Sequence, residues 1–462
     1  MRGFETATGP LGRASAWLGR SKGLEVTEKV DRTWTVDLDS HVGESVLLRG
    51  WLHNFRRLSR VSFVILRDGR GLAQVVVDDP AVIEQLETTN RESVLEVRGT
   101  VAAEPQAPGG IEVREAQIEV LVPALEPPPV DLYRPVMNAQ LPTILDHAPV
   151  TLRHPQRRLY FRLAHAAVAG FRSLLESRQF VEIQTPKLVG SATEGGANVF
   201  RVDYFGRPAY LAQSPQFYKQ IMVGVYERVF EVGPVFRAEP HDTPRHINEY
   251  VSLDMEMGFI EDHTTVMAML RDVIDAMLGE MGKRYSAELV AASIQLPAVP
   301  ATIPAVHFTE AQRLISAATG EDLTGELDLA PSHETWLGEW ALRDHGSEFL
   351  FVTGFPMVKR PFYTHPDPAR PEYANGFDLL FRGLELVTGG QRLHRYEDYV
   401  AALQTRGMTS DGFQSYLEAF RYGMPPHGGF AIGLERLIAR LVGARNIRET
   451  TLFPRDLNRL EP

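Results

Sequence analysis

Two arginines lie in a charged loop in the second half of the chain. Arg237 and Arg245 are eight residues apart, between apolar segments that end at Phe236 and resume near Tyr250. A hairpin with a long polar loop can be plain surface, but long loops in compact domains are often functional. Guanidinium groups make two-pronged contacts with phosphate and carboxylate groups, which is the chemistry this loop would offer.

A carboxylate, a hydroxyl and two glycines follow one another further along the chain. Glu385 is placed at the end of an alternating apolar strand over residues 376–386, and Thr388, Gly389 and Gly390 come after it. Glycines lack a Cβ and so let a ligand approach the backbone closely. The simpler interpretation is a solvent-facing strand carboxylate followed by a turn.

A glycine-rich segment enters a helix at residue 434. Apolar residues on one face predict this helix, which begins at Leu434 and has Gly443 as its C-cap. Arg436 falls in the first turn, where the helix dipole disfavours a cation, and an anionic ligand would offset that cost. Glycine-rich entries to helices are common, so this segment by itself indicates little.

The elements that position these segments predict an α+β chain. Short alternating segments at residues 45–51, 62–67, 73–77 and 93–101 suit a small closed barrel of the OB-fold type. An apolar stripe over residues 160–175 predicts a long helix, and the later strands do not alternate with helices as in a parallel sheet. We predict a leader at 1–30, an OB-fold β-barrel at 31–122, a hinge at 123–150 and an antiparallel-sheet domain flanked by helices at 151–462.

Composition limits the possible classes of protein. The 462 residues exceed what one hydrophobic core organises, and the lack of cysteine excludes disulfides, thiolate metal sites and a cysteine nucleophile. No apolar run approaches the ~18 residues of a membrane helix, and the start lacks a signal peptide's apolar stretch, so we expect a cytoplasmic protein. The net charge of -11 argues mildly against a nucleic-acid partner.

One local stretch runs against this average charge. Between Arg49 and Arg70 there are six arginines and one acidic residue, with Trp51, Phe55 and Phe63 among them. A solvated strand face is the alternative interpretation. Aromatic residues among arginines favour binding of single-stranded RNA, which is held by base stacking and phosphate neutralisation.

Together, the three segments resemble the signature motifs of the class II aminoacyl-tRNA synthetases in order and spacing. The helix that leads into the strand before Pro186 resembles motif 1, which forms the dimer interface in that family; residues 236–246 resemble motif 2 and residues 433–436 motif 3. The barrel resembles the anticodon-binding barrel of the aspartate, asparagine and lysine subgroup (subclass b). Residues 192–197, 214–219, 236–246 and 421–429 are similar to the archaeal-type aspartyl-tRNA synthetases.

The resemblance implies ATP-dependent activation of aspartate and transfer of the aspartyl group to the 3′-terminal ribose of tRNA. Of the implied catalytic residues, Arg237 bridges the α-phosphate and the amino-acid carboxylate, Glu239 lies by the adenine and Arg436 binds the far phosphates. The residues implied to bind ATP are Arg237, Ala238, Glu239, Arg245, His246, Ile247, Glu385, Gly433, Leu434, Glu435 and Arg436. Glu385 and Thr388, which stands where the family usually has serine, are implied to hold Mg²⁺ through oxygen ligands.

The resemblance also implies a binding site for the amino acid. Its residues would be Glu194, Gln216, Lys219, Arg237, Thr388 and Arg392. Glu194 would bind the α-ammonium group, and Lys219 and Arg392 would pair with the side-chain carboxylate. Two cations here should reject neutral asparagine, because their charges would lack a partner. In the barrel, Phe63 is implied to stack on an anticodon base, with Gln74 and Arg56 hydrogen-bonding nearby.

His53 and Pro108 resemble the non-discriminating members, which aspartylate both tRNA-Asp and tRNA-Asn; strictly specific members carry bulkier or basic residues there. Neutral drift at a strand and a loop is the alternative. The implied partners are both tRNAs, L-aspartate, a second copy of the chain in a homodimer and a tRNA-dependent amidotransferase.

Three rival functions share the catalytic fold. These are an asparaginyl-tRNA synthetase, a tRNA-independent asparagine synthetase, and a catalytically inactive RNA-binding paralogue. The predicted barrel counts against the second, and the joint presence of Arg237, Glu385 and Arg436 counts against the third.

Overall fold

The computed structural model describes residues 31–58, 61–190 and 198–462. The chain forms two compact units, of which the first ends at Pro129 and the second begins at Val130. The predicted leader at 1–30 and Glu194 lie outside the described residues. Among the helices that are described, none is both long and apolar enough to cross a membrane.

The first unit is a closed barrel with the strand order β1-β2-β3-β5-β4. Its strands are β1 (Ser45–Arg57), β2 (Ser62–Arg67), β3 (Leu72–Val77), β4 (Val94–Ala103) and β5 (Ile111–Val122). Helix α1 (Pro80–Thr88) joins β3 to β4, and the Asp79 side chain caps it by accepting from Ala81 N at 2.8 Å. Apolar residues such as Leu48, Val64 and Val75 are completely buried in the barrel core. The predicted OB-fold type of barrel is confirmed.

The second unit is built on an eight-stranded sheet with the order β12-β13-β14-β15-β16-β11-β10-β6. All neighbours are antiparallel except two pairs, β12 with β13 and β10 with β6. A separate sheet has the order β7-β9-β8. The strands are β6 (Val181–Glu182), β7 (Leu188–Val189), β8 (Arg201–Tyr204), β9 (Arg207–Leu211), β10 (Arg228–Phe236), β11 (Glu249–Gly258), β12 (Ala305–His307), β13 (Phe349–Thr353), β14 (Gly376–Phe381), β15 (Leu384–Gln391) and β16 (His427–Gly433).

Helices flank this sheet. They are α2 (Leu141–Asp146), α3 (Ala148–Thr151), α4 (Pro155–Ser177), α5 (Gln216–Tyr226), α6 (His263–Ala291), α7 (Phe308–Thr319), α8 (Pro331–His345), α9 (Tyr396–Thr405), α10 (Gln414–Arg421) and α11 (Leu434–Val442). The first two occupy part of the segment predicted as a hinge. Pro142 and Pro149 stand in their first turns, where a missing N–H costs nothing, so these prolines begin helices rather than prevent them.

The apolar stripe of α4 belongs to the interior of the second unit. Leu163, Phe171 and Leu175 are completely buried in the same core as residues of α6. Gly170 lets the two helices approach, since a Cβ there would lie 2.6 Å from Ala276 O. This stripe was expected to form a dimer interface, but intramolecular packing already covers it.

The segment predicted as one strand over residues 376–386 is a hairpin. β14 ends at Phe381, Arg382 and Gly383 turn the chain with φ values of 49° and 72°, and β15 begins at Leu384. A Cβ at Gly383 would lie 2.8 Å from Thr335 Cα, so only glycine fits against α8. Glu385 therefore lies near the start of a strand and not at the end of one.

The glycine-rich segment before α11 is also a strand. β16 lies between β15 and β11, and a Cβ on Gly429 would lie 2.1 Å from Met255 O. The glycines thus allow close packing within the sheet. Helix α11 and its C-cap Gly443, with φ 68°, are confirmed.

Candidate active site

A cavity of about 270 Å³ is lined by β11, β15 and β16, which are neighbours in the sheet. Strand register places Ser252 opposite Gly433, and Thr388 opposite Ala431. The loop after β10 and helix α5 supply further lining residues. The predicted site residues that line the cavity are Gln216, Lys219, Arg237, Glu239, Arg245, His246, Ile247, Glu385, Thr388, Arg392, Gly433, Glu435 and Arg436.

Two predicted ATP-binding residues lie elsewhere among the described residues. Ala238 does not line the cavity; its N–H donates to Asn198 O at 2.7 Å. The Leu434 side chain packs in the hydrophobic core of the second unit. Any role of these two residues in binding a ligand would therefore be through the backbone.

Four buried charges form one part of the site. Lys219 Nζ donates to Asp254 Oδ1 at 2.9 Å and lies 3.4 Å from Glu256 Oε2. Arg392 Nε donates to Glu256 Oε1 at 2.9 Å. Burial by itself raises the pKa of Glu256, but Arg392 and Lys219 outweigh it and lower that pKa below its usual value. The Glu256 carboxylate is therefore charged at neutral pH.

From the sequence, asparagine was expected to be rejected because two cations would lack a partner, and this arrangement shows that reason to be wrong. Lys219 and Arg392 do not lack partners without a ligand, because Asp254 and Glu256 already compensate their charges. The site can therefore select a ligand only by the pattern of hydrogen-bond donors and acceptors that it presents. Gln216 Nε2 is buried at the cavity and has no hydrogen-bond partner among the described residues, so it offers an unused donor.

A second group of side chains surrounds Glu385. Thr388 Oγ1 donates to Glu385 Oε1 at 3.0 Å, and Arg436 Nη1 donates to the Glu385 carbonyl at 3.0 Å. His246 Nε2 lies 3.5 Å from Glu239 Oε2. Burial lowers the pKa of His246, and the positive charge of Arg436 acts in the same direction. The ring is therefore neutral at pH 7 and can accept a hydrogen bond at one nitrogen.

Asp378 and Arg360 were not predicted from the sequence. Asp378 stands opposite Thr388 in the β14–β15 pair, and Arg360 donates to both of its carboxylate oxygens at 3.1 and 2.9 Å. Burial raises the pKa of Asp378 to about 6, against the effect of Arg360. Its sequence signal is a single acid inside an apolar strand, Gly376–Phe381, where a buried carboxylate needs a specific partner.

Arg448 was also missed, and it holds the loop that carries Arg237 and Arg245. Its Nη2 donates to Asp242 Oδ1 at 2.7 Å and its Nη1 to Thr243 O at 3.1 Å, while Nε binds Asp456. The arginine is only 5% exposed, although the Asp242 side chain is half exposed. No local pattern around residue 448 indicates this function, because its partners in the loop are some 200 positions away.

Glu435 is a further buried carboxyl group at the cavity. Val251 N–H lies 3.1 Å from both of its oxygens. Burial raises its pKa to about 7. The residue fixes the start of α11 against β11, and so holds Arg436 in place.

The barrel carries a separate groove that contains all three residues predicted to bind the anticodon. Arg56, Phe63 and Gln74 line it. Arg56 and Phe63 are cross-strand partners in β1 and β2, and Phe63 is the partner of Val76 in β3. Register therefore brings a cation, an aromatic ring and an amide to one face of the barrel.

The arginine-rich stretch is mostly engaged in ion pairs. Arg67 is buried and donates to both carboxylate oxygens of Glu92, at 2.8 and 2.7 Å. Arg49 pairs with Glu96, and Arg57 with Glu87. Fewer basic side chains are thus available to RNA than the sequence suggested, because acids from helix α1, from the segment after it and from β4 neutralise several of them.

The two residues predicted to control tRNA choice differ in their accessibility. Pro108 is exposed and begins a turn, Pro108–Gly110, that follows Ala107, which lines the groove. His53 is only 5% exposed and lies within β1 at a register shift between Leu52 and Asn54. His53 is not among the residues that line the groove, so a direct contact with a base would require the strand to move.

Comparisons with known proteins agree with this architecture. The family described as tRNA synthetases class II (D, K and N) matches residues 140–457, and the OB-fold nucleic acid binding domain matches residues 46–127. A relative from Thermus thermophilus, named aspartate–tRNA(Asp/Asn) ligase, is 47% identical over 92% of this chain and 99% of its own length. A relative of the same name from Deinococcus radiodurans is 43% identical over 95% of this chain and 100% of its own length.

Solved structures give the same result. The asparaginyl-tRNA synthetase from Pyrococcus horikoshii in complex with asparaginyl-adenylate superimposes with a TM-score of 0.85 at 28% identity, covering 94% of this chain and 100% of the other. An aspartyl tRNA synthetase from Entamoeba histolytica has a TM-score of 0.82 at 29% identity, covering 94% of this chain and 93% of the other. The chain therefore belongs to the class II aminoacyl-tRNA synthetases of the aspartate, lysine and asparagine group.

Proposed function

We propose that this enzyme activates L-aspartate with ATP and transfers the aspartyl group to both tRNA-Asp and tRNA-Asn. One observation supports this most directly. A single cavity joins the donors Lys219 and Arg392 to the phosphate-binding candidates Arg237, Arg245 and Arg436. The names of the relatives from Thermus thermophilus and Deinococcus radiodurans support the same reaction and the two tRNAs.

Adenylate formation on this scaffold needs positioning and charge stabilisation rather than a protein nucleophile. The aspartate carboxylate attacks the α-phosphorus of ATP, the bond to the β-phosphate oxygen breaks, and pyrophosphate leaves. Arg237 would stabilise the charge that develops on the α-phosphate, and Arg245 and Arg436 would bind the leaving pyrophosphate. In the second step the ribose hydroxyl of tRNA attacks the carbonyl, and AMP leaves.

Mg²⁺ suits the oxygen atoms that surround Glu385. The Glu385 carboxylate and the Thr388 hydroxyl are adjacent, and both line the cavity. No group of three or more His, Cys, Asp or Glu residues arranged to hold a metal occurs in the described part of the chain. Mg²⁺ commonly takes one or two protein ligands and completes its shell with phosphate and water, so this small set fits. When bound, the ion would neutralise phosphate charge.

Aspartate would be distinguished from asparagine by donor and acceptor character. Lys219 and Arg392 are donors only, and Gln216 adds an unused donor. A carboxylate accepts at both oxygens, whereas the amide of asparagine turns an NH₂ group toward one of these donors. Leaving polar groups unpaired in a buried site is costly, so the site should favour aspartate. Glu194 would bind the α-ammonium group, as the resemblance implies.

Phe63, Arg56 and Gln74 would bind the anticodon through stacking and hydrogen bonds in the groove. Pro108 places no basic side chain at the edge of this groove, which supports the charging of both tRNAs. Aspartyl-tRNA-Asn would then need a tRNA-dependent amidotransferase to become asparaginyl-tRNA-Asn. We also propose a homodimer; its interface would use surfaces other than the buried stripe of α4.

The proposal is tested by ATP–pyrophosphate exchange followed by charging of transcripts. Exchange should be much faster with L-aspartate than with L-asparagine, and tRNA-Asp and tRNA-Asn should be aspartylated with kcat/KM values within about tenfold, since one base contact is worth ~1–3 kcal/mol by analogy with base readout in DNA. Faster exchange with asparagine would instead indicate an asparaginyl-tRNA synthetase. A monomer in sedimentation at micromolar concentration would contradict the homodimer.

A further inference from the structure

The tip of the loop between β10 and β11 is exposed to solvent. His241, Asp242, Pro244 and Arg245 are all exposed, and the chain around them is irregular. Arg245 nevertheless lines the cavity, where it is a candidate for binding the ATP phosphates. Because little buried apolar surface fixes this tip, its position depends on polar contacts with the rest of the second unit.

The segment after α11 holds the tip from one side. Arg448 donates to Asp242 Oδ1 at 2.7 Å and to Thr243 O at 3.1 Å. Ile447 N donates to Pro244 O at 2.9 Å. These contacts use two carbonyl groups of the tip and one of the two carboxylate oxygens of Asp242.

Asn458 binds the second oxygen of the same carboxylate. Its Nδ2 donates to Asp242 Oδ2 at 2.9 Å. Asp456 shapes the turn that carries Asn458, because its Oδ1 accepts from the backbone N–H of Asn458 at 2.8 Å and of Arg459 at 2.9 Å. The other oxygen of Asp456 binds Arg448. The two donors of the Asp242 carboxylate are therefore linked to each other through Asp456.

The segment 455–459 is also tied to elements outside the tip. The Arg455 carbonyl accepts from Asn248 N at 2.7 Å, directly before β11 begins. Arg459 Nη2 donates to Asp146 Oδ1 in α2 at 2.6 Å. Both sides of the segment are thus anchored, and Asn458 lies between them as a fixed donor.

We infer that Asn458 is a positioning residue, which holds Asp242 so that Arg245 stands where the outer phosphates of ATP bind. The inference rests on the proposed function, because it assigns those phosphates to Arg245. With both oxygens of Asp242 bound, the side chain and the backbone that carries it have a single orientation. A cation that is already in place loses less conformational entropy on binding phosphate than one on a mobile loop. Asn458 thus strengthens ATP binding without touching ATP.

The experiment measures the dissociation constants of ATP and of AMP, each with Mg²⁺, by isothermal titration calorimetry. Asn458→Asp makes two carboxylates face each other and releases the tip. The dissociation constant of ATP should rise by about tenfold, the low end for a hydrogen bond to a charged group, because the Asp242 side chain is half exposed. That of AMP should stay at the wild-type value, because AMP lacks the outer phosphates. In pyrophosphate exchange KM should rise for ATP and not for aspartate.

Exchange of the two groups separates positioning from loss of structure. In Asp242→Asn combined with Asn458→Asp, the amide at 242 accepts from Arg448 through its oxygen and donates to the carboxylate at 458 through its nitrogen. ATP binding should return close to the wild-type value. Asn138→Asp adds the same charge at an exposed position outside both segments, and should leave both dissociation constants unchanged.

Three results would overturn the inference. The first is wild-type ATP binding by Asn458→Asp. The second is an equal loss of ATP and AMP binding, because the effect would then not pass through Arg245. The third is a double variant that binds ATP no better than Asn458→Asp. Absence of aspartate-dependent pyrophosphate exchange in the wild type would instead reject the proposed function, and the ATP titrations would still test Asn458.

Discussion

Arg392 and Glu256 form a buried ion pair at the cavity, with Arg392 Nε donating to Glu256 Oε1 at 2.9 Å and only 9% and 0% of the two side chains exposed. The same arginine donates through Nη2 to Gly429 O at 3.1 Å. Glu256 also lies 3.4 Å from Lys219 Nζ. A donor that lines the cavity is thus fixed by a carboxylate from β11 and by the backbone of β16.

Substitutions of Arg392 should distinguish the effect of its positive charge from the effect of its hydrogen-bond geometry. Arg392→Lys keeps the charge but loses the fork that reaches Glu256 and Gly429 together, so KM for aspartate should rise about 10- to 100-fold, as expected for charged hydrogen bonds. Arg392→Met leaves Glu256 buried without this partner and should lower the free energy of unfolding by about 3–5 kcal/mol. ATP–pyrophosphate exchange at varied aspartate concentration measures KM, and urea unfolding measures the free energy of unfolding. Arg395→Lys, at an exposed neighbouring position, is the control; a KM changed less than twofold in Arg392→Lys would contradict the assignment.

The metal role of Glu385 can be tested through the dependence on Mg²⁺. Glu385→Gln removes the negative charge but keeps an acceptor for Thr388, so exchange at limiting Mg²⁺ should fall by about 10²-fold or more. High Mg²⁺ should recover part of the rate. Glu372→Gln changes an exposed carboxylate and should behave as wild type. Near-normal exchange by Glu385→Gln at limiting Mg²⁺ would show that the ion is held elsewhere.

Glu435 should make the stability of the second unit depend on pH. Its folded-state pKa is about 7 against a reference value of 4.5, so between these pH values the folded chain binds the proton more tightly than the unfolded chain. Stability should therefore fall as pH rises from 4.5 to 7, by an order of about 3 kcal/mol at 1.36 kcal/mol per pKa unit. Glu435→Gln should remove this dependence and be more stable than wild type at pH 8. Urea unfolding at pH 5 and pH 8 measures the free energy of unfolding of both proteins. The same change in stability between these pH values in both proteins would refute the prediction.

Pro108 and His53 should affect tRNA choice in different ways. Pro108→Lys places a cation on the exposed turn beside the groove and should shift kcat/KM toward tRNA-Asp by about tenfold, the size of a single base contact by analogy with DNA readout. His53→Trp enlarges a buried side chain in β1 and should destabilise the barrel by about 1–3 kcal/mol. Charging of both transcripts and thermal unfolding distinguish these outcomes. A wild-type preference for tRNA-Asp above a hundredfold would mean that the enzyme discriminates and that the resemblance at both positions was misread.

The sequence by itself was sufficient for the family, the barrel and about half of the residues that line the cavity. The loop arginines, Glu385 with its glycines and the segment from Gly433 to Arg436 are contiguous motifs, and their order along the chain carries the resemblance. Strand alternation in the barrel is also a local pattern. Local patterns can be recognised without knowledge of the fold, because they depend on residues only a few positions apart.

Tertiary structure alone decided the partners of the charged groups and the position of turns in apolar stretches. Arg392 and Glu256 are 136 residues apart, and Lys219 and Asp254 meet only because α5 packs beside β11. β14 and most of β15 are buried, so the residues on both sides of Arg382 and Gly383 are mainly apolar. The sequence therefore shows no change of pattern that would predict the turn. Ion pairing and strand register depend on contacts distant in sequence, so the neutralised charges at the cavity and the contact between Asn458 and Asp242 emerge only once the chain is folded.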